Sequence, residues 1–138
     1  MLEVVHDWLA ADLSANRKPI VFVVGHEPII AMPDMDNGRV RHKGDSLDAH
    51  PANARRLGES MRQHHVTAYL TAHTHNTSVT NIGGVWQIDA GHARGLGDKG
   101  ARSTFMKVAV KRSGCQLDIY RDDGKGGAYG LTRSLRLD

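Results

Sequence analysis

Two apolar runs, Ile20–Val24 and Val66–Ala72, each lie between a helical pattern and a histidine, and this arrangement most constrains the fold. Leu2, Val5, Leu9 and Leu13 recur at the period of one helical face. Pro19 stops that helix, and Ile20–Val24, bounded by Gly25, reads as a fully buried strand. Pro51 suits the first turn of a second helix with Ala54, Leu57 and Met61 on its buried face. Val66–Ala72 then reads as a second buried strand, ending in His73-Thr74-His75. Helix–strand units repeated in this way predict an α/β fold.

Between the units, Glu27–His50 loses all periodicity, and Pro28, Pro33, Asn37-Gly38 and Gly44 mark a long polar loop. A loop of that length is expected to be functional or disordered. Beyond the second unit, Val79–Ile82 and Val85–Ile88 flank Gly83-Gly84 as a hairpin. Phe105–Val110 and Cys115–Tyr120 alternate around Ser113-Gly114 as another. After Asp122, the run Gly124–Gly127 and the Arg-rich end read as a tail. There is no internal repeat or dividing linker, so residues 1–138 are expected to form one domain.

Composition narrows the classes. Hydrophobic residues make up 40% of the 138 and charged residues 24%, ordinary values for a soluble globular chain. No apolar run approaches the ~20 residues of a membrane span. The N-terminus lacks a basic n-region and does not read as a signal peptide, which leaves localisation open. Cys115 is the single cysteine, so an internal disulfide and a cysteine zinc site are both excluded, and a packing role is expected. The net charge of +3 raises nucleic acid as a partner. Basic residues are spread from Arg17 to Arg136 without interleaved aromatics, which argues against it.

The chemistry is expected at the two strand ends. Gly25-His26-Glu27-Pro28 follows the first run, and Ala72-His73-Thr74-His75 follows the second. Ligands of α/β sheets collect at the carboxyl ends of strands, so both segments can face one crevice. His73 and His75, two apart, share a side if their backbone is extended. Imidazole suits Zn, Fe, Mn or Ni, and three such histidines point to a metal site.

The order strand–Gly-His-x-Pro, loop and helix, then strand–Gly-His-Thr-His resembles the last two metal motifs of the calcineurin-like metallophosphoesterases. Alanine stands at 72 where the family has glycine. Gly84–Gly95 also resembles the family segment after His-x-His. The resemblance implies the C-terminal half of a four-layer αββα sandwich and a phosphate-ester substrate. It also implies two divalent or trivalent ions (Fe, Mn or Zn) about 3.5–4 Å apart that clamp the phosphate. His26 and His73 would bind one metal ion and His75 the other, with His92 and Arg94 as substrate contacts. The family's Asp-x-His, Gly-Asp-x-x-Asp and Gly-Asn-His-Asp/Glu motifs precede the first helix, and this chain begins there. A truncated chain with an incomplete two-metal site is therefore expected, with weak metal affinity and little turnover. An open sheet edge, and through it a homo-oligomer, is expected as well. A non-catalytic metal-binding module and a basic module for an acidic partner are the alternative readings.

Other motifs read more plainly. Gly44-Asp45-Ser46-Leu47-Asp48-Ala49-His50 contains Gly-Asp-x-x-Asp and Asp-x-His patterns, but no strand run precedes it, so capping of the second helix by Asp48 or a neighbour is the simpler role. Gly95–Gly100 matches G-x-G-x-x-G but precedes a strand, and so reads as a loop. Asp34-Met35-Asp36-Asn37-Gly38 lacks the spacing of a calcium loop and reads as a polar turn. His64-His65 closes the second helix.

Overall fold

The structure, a computed structural model, describes residues 2–93 and 102–137. Helix α1 spans Leu2–Ala15 and strand β1 Phe22–Val24. The long loop follows, closing with a 3-10 turn at Leu47–Ala49 before helix α2, Pro51–Gln63. Strands β2 (Ala68–Thr71), β3 (Thr77–Ile82) and β4 (Val85–Ala90) complete the first sheet. Its order is β1-β2-β4-β3, with β1, β2 and β4 parallel and β3 antiparallel at the edge. Strands β5 (Thr104–Lys111), β6 (Gly114–Arg121) and β7 (Gly130–Arg136) form a second, antiparallel sheet. The fold is α/β, and none of its described helices is long and apolar enough to cross a membrane.

Two apolar clusters define the layers. Leu13 of α1 and Ala54 and Met61 of α2 pack on Tyr69 and Val85, on one face of the first sheet. Met61 is fully buried, and covering such a side chain stabilises by about 1.5–3 kcal/mol. On the opposite face, Ala68 and Ile88 meet Cys115, Leu117 and Ile119 of the second sheet. The layers are therefore helices, sheet, sheet. Cys115 is buried in that second cluster and packs as expected.

Three local expectations need correction. Ile20–Val24 is not fully buried: among the described residues β1 pairs only with β2, and Val24 is 77% exposed at that edge. The stretch after Asp122 is not all tail. Gly130–Arg136 pairs with β6 as β7. Asp48 does not cap α2; its carboxylate accepts hydrogen bonds from the amides of Gly44 and Ser46 and closes the turn before it.

The long loop is tied down at several points. Gln87, buried on β4, accepts hydrogen bonds from the amides of Ile29 and Ile30 and donates to the Ile30 carbonyl. Further on, Asp34 is buried against Arg121 of β6, whose guanidinium reaches both its oxygens at 3.1 and 2.9 Å. Arg121 also contacts Asp36 at 2.8 Å, and Thr77 donates its amide to Asp34. The segment read as a polar turn is thus a turn locked by a buried ion pair. This fixes the loop that carries His42 and Asp45.

Candidate metal centre

The parallel strands β1, β2 and β4 deliver their carboxyl ends to one side of the first sheet. His26 lies two residues past β1, His73 and His75 follow β2, and His92 lies two past β4. The pinned loop brings His42 to the same place. Five of the chain's nine histidines gather here. Ring centroids are 5.1 Å apart for His26 and His73, 5.0 Å for His42 and His73, 5.6 Å for His42 and His75, and 6.2 Å for His75 and His92.

Local backbone sets this up. Gly25 passes under the Tyr69 ring, and a Cβ there would collide with the Tyr69 hydroxyl. That hydroxyl donates to the Glu27 carbonyl at 2.8 Å, which holds the turn bearing His26. Burial, helped by the Glu27 charge, pushes the Tyr69 hydroxyl up to about 12, so it stays a donor. His73 and His75 are not extended: both adopt left-handed backbone, at φ 65° and 56°, as does His42 at φ 55°. Non-glycine residues pay strain in that region, and such strain concentrates at functional sites. Alanine at 72 costs nothing of this kind, since its φ is not positive.

Thr74, fully buried between the two histidines, anchors the strained turn. Its hydroxyl donates to Asp89 Oδ2 at 2.5 Å, and the Gly91 amide donates to Asp89 Oδ1 at 2.9 Å. Burial pushes the Asp89 carboxyl up to about 6, against the lowering effect of these hydrogen bonds.

Two features fit a metal ion. His26 Nε2 and His73 Nδ1 face each other at 3.3 Å. Two ligands at about 2.0–2.1 Å on a tetrahedral ion stand about 3.3 Å apart. The other nitrogen of His73, Nε2, donates to the Asp45 carbonyl at 2.7 Å, so the neutral ring keeps its lone pair on Nδ1. Metal-bound histidines are commonly oriented in this way by a backbone carbonyl. The second feature is a carboxylate. Ligand atoms of His42, Asp45 and His73 lie within 4.8 Å of one another, and His42 Nδ1 contacts Asp45 Oδ2 at 3.1 Å.

The structure thus brings His26, His73, His75 and His92 together and leaves Arg94 outside the described residues, together with Gly95–Gly100. Sequence reasoning missed His42, and it set aside Asp45 for want of a preceding strand. The Gly44-Asp45-x-x-Asp48 pattern was the available signal. Thr74 and Asp89 gave none, because their partnership exists only once β2 and β4 pair.

An α/β protein with a histidine-rich candidate metal centre at its parallel strand ends is the class these observations define. No protein-family model matches the chain, and no curated protein does. Among solved structures it is similar to wild-type Vps29 of Entamoeba histolytica complexed with Zn2+, at 24% identity and a TM-score of 0.46. That match covers 61% of this chain and 47% of the other. A singly substituted form of the same Vps29 matches at 22% identity and a TM-score of 0.45, covering 59% and 46%. The chain spans about half the length of these structures. At such TM-scores the class rests on the chain's own sheets and histidines.

Proposed function

We propose that this chain carries the histidine-rich part of a metal-dependent phosphoric-ester hydrolase of the calcineurin-like type. The facing pair His26 Nε2 and His73 Nδ1, with the second nitrogen of His73 held by the Asp45 carbonyl, carries the reading. His26 and His73 would hold one ion, His42 and the Asp45 carboxylate would serve beside His73, and His75 would serve a second ion. When bound, such ions supply charge neutralisation of the phosphate oxygens and an activated water. The chain's own contribution is orientation. Gly25 and Tyr69 set His26, Asp45 sets the tautomer of His73, and the Thr74–Asp89 bond fixes the turn between His73 and His75. His92, buried beside His75, would border the substrate through that ring.

Among the described residues, carboxylates are scarce here. Asp45 is exposed and Asp89 is engaged by Thr74 and Gly91. That scarcity favours, as a second reading, a metal-binding module without hydrolysis. Bis(p-nitrophenyl) phosphate turnover with Mn2+ or Zn2+ separates the two when wild type is compared with His73→Ala and with His64→Ala. Slow, metal-dependent hydrolysis that His73→Ala abolishes and His64→Ala preserves supports the hydrolase. Metal binding with no turnover above the His73→Ala background supports the module. Hydrolysis indifferent to His73 would end both.

A further inference from the structure

An apolar cavity borders the histidine cluster at His26. About 370 Å3 in volume, it lies between α1, α2 and the turn after β1. Val5 and Leu9 of α1, Leu57 of α2, Leu47 and the Tyr69 ring form its apolar walls. His26 lines the cavity as well, while its Nε2 faces His73. Leu47 also lines it, from the loop that carries Asp45.

His6 also lines the cavity, although its Nε2 is out of reach of solvent. Asn53, Arg56 and Glu27 add polar groups to the lining. An aliphatic pocket with an aromatic wall and a few convergent polar groups is the usual form of a small-molecule site. A dry cavity of about 150 Å3 accepts benzene, so one of this size accommodates two fused rings.

We propose that this cavity receives the aromatic alcohol portion of a phosphoric ester whose phosphate lies at the histidine cluster. The proposal rests on the hydrolase reading above and names its substrate class. His26 belongs to both sites and is the point at which one ester would span them. The aromatic part sits among Leu9, Leu57 and Tyr69.

Binding of 2-naphthol, 2-naphthyl phosphate and methyl phosphate to the purified chain, followed by NMR with and without Zn2+, tests this. 2-Naphthol is expected to bind irrespective of metal and to show contacts to the Leu9 and Leu57 methyls. Leu57→Trp, which fills the cavity, should weaken it at least tenfold, and His73→Ala should leave it unchanged. 2-Naphthyl phosphate should gain at least tenfold from Zn2+ in wild type and lose that gain in His73→Ala. Methyl phosphate should be indifferent to Leu57→Trp. Absence of naphthol contacts to Leu9 and Leu57 in wild type overturns the cavity assignment, even if Leu57→Trp fails to fold. Naphthol binding without any Zn2+ gain for its phosphate overturns the metal reading and the continuity of the two sites.

Discussion

Asp34→Asn is the perturbation whose effect follows most directly from the geometry. Asp34 and Arg121 have fully buried side chains joined by two hydrogen bonds of 3.1 and 2.9 Å. The substitution keeps the shape but removes the charge, leaving a buried guanidinium short of its main partner. Breaking a buried pair from one side costs about 3–5 kcal/mol. Asp36 remains 2.8 Å from Arg121, which places this case at the lower end, about 3 kcal/mol. For a chain of this size that corresponds to a fall in melting temperature of roughly 10 °C. The pH dependence has a definite sign. Burial raises the Asp34 carboxyl, but the Arg121 hydrogen bonds and the amides of Asp36 and Thr77 outweigh it, so the group ends below the usual carboxylate range. A depressed folded value means the stabilisation is fully present above the unfolded value near 3.9. It is lost as pH falls through the lower folded value. Thermal melts followed by circular dichroism should therefore show a gap between wild type and Asp34→Asn at pH 7 that narrows at acid pH. Replacing both partners, as in Asp34→Leu with Arg121→Met, should cost less than Asp34→Asn alone. A gap of under about 2 °C at pH 7, or one that persists unchanged at low pH, refutes the reasoning.

Other outcomes follow from single sites. Met61→Ala empties a fully buried position between α2 and the first sheet and should cost about 2–5 kcal/mol in a denaturant titration. Gly25→Ala forces the Tyr69 hydroxyl away from the Glu27 carbonyl, and it should weaken zinc binding more than it lowers stability. Thr74→Val leaves Asp89 without its hydroxyl donor and should cost about 1–3 kcal/mol, read from melts, with a parallel loss of zinc affinity. The open edge of β1, with Val24 exposed, is a pairing surface, so the chain should self-associate with rising concentration in sedimentation. Val24→Lys should reduce that association.

Much of the architecture was legible because local pattern and global fold agree. The helical spacing of Leu9 and Leu13, the proline at the start of α2, and the Gly83-Gly84 turn with positive φ at both residues each declare their element. Strand exposure was harder to read. Ile20–Val24 has the composition of a central strand, but its place at the sheet edge depends on which strands pair, which the run itself does not encode. Strand β7 was masked by flanking glycines and arginines. At the site, His26, His73 and His75 were visible because they follow recognisable strands. His42 and Asp45 were not, because the loop reaches the cluster through Asp34 and Arg121, which lie 87 positions apart in sequence. The left-handed backbone of His73 and His75 was equally hidden, since spacing alone says nothing of φ.

Calorimetric titration of Zn2+ into the wild-type chain, His26→Ala, His73→Ala and the control His64→Ala tests the central claim most directly. The account predicts binding to wild type and to His64→Ala that weakens at least about tenfold when either His26 or His73 is removed. Equal affinity in all four proteins would contradict it.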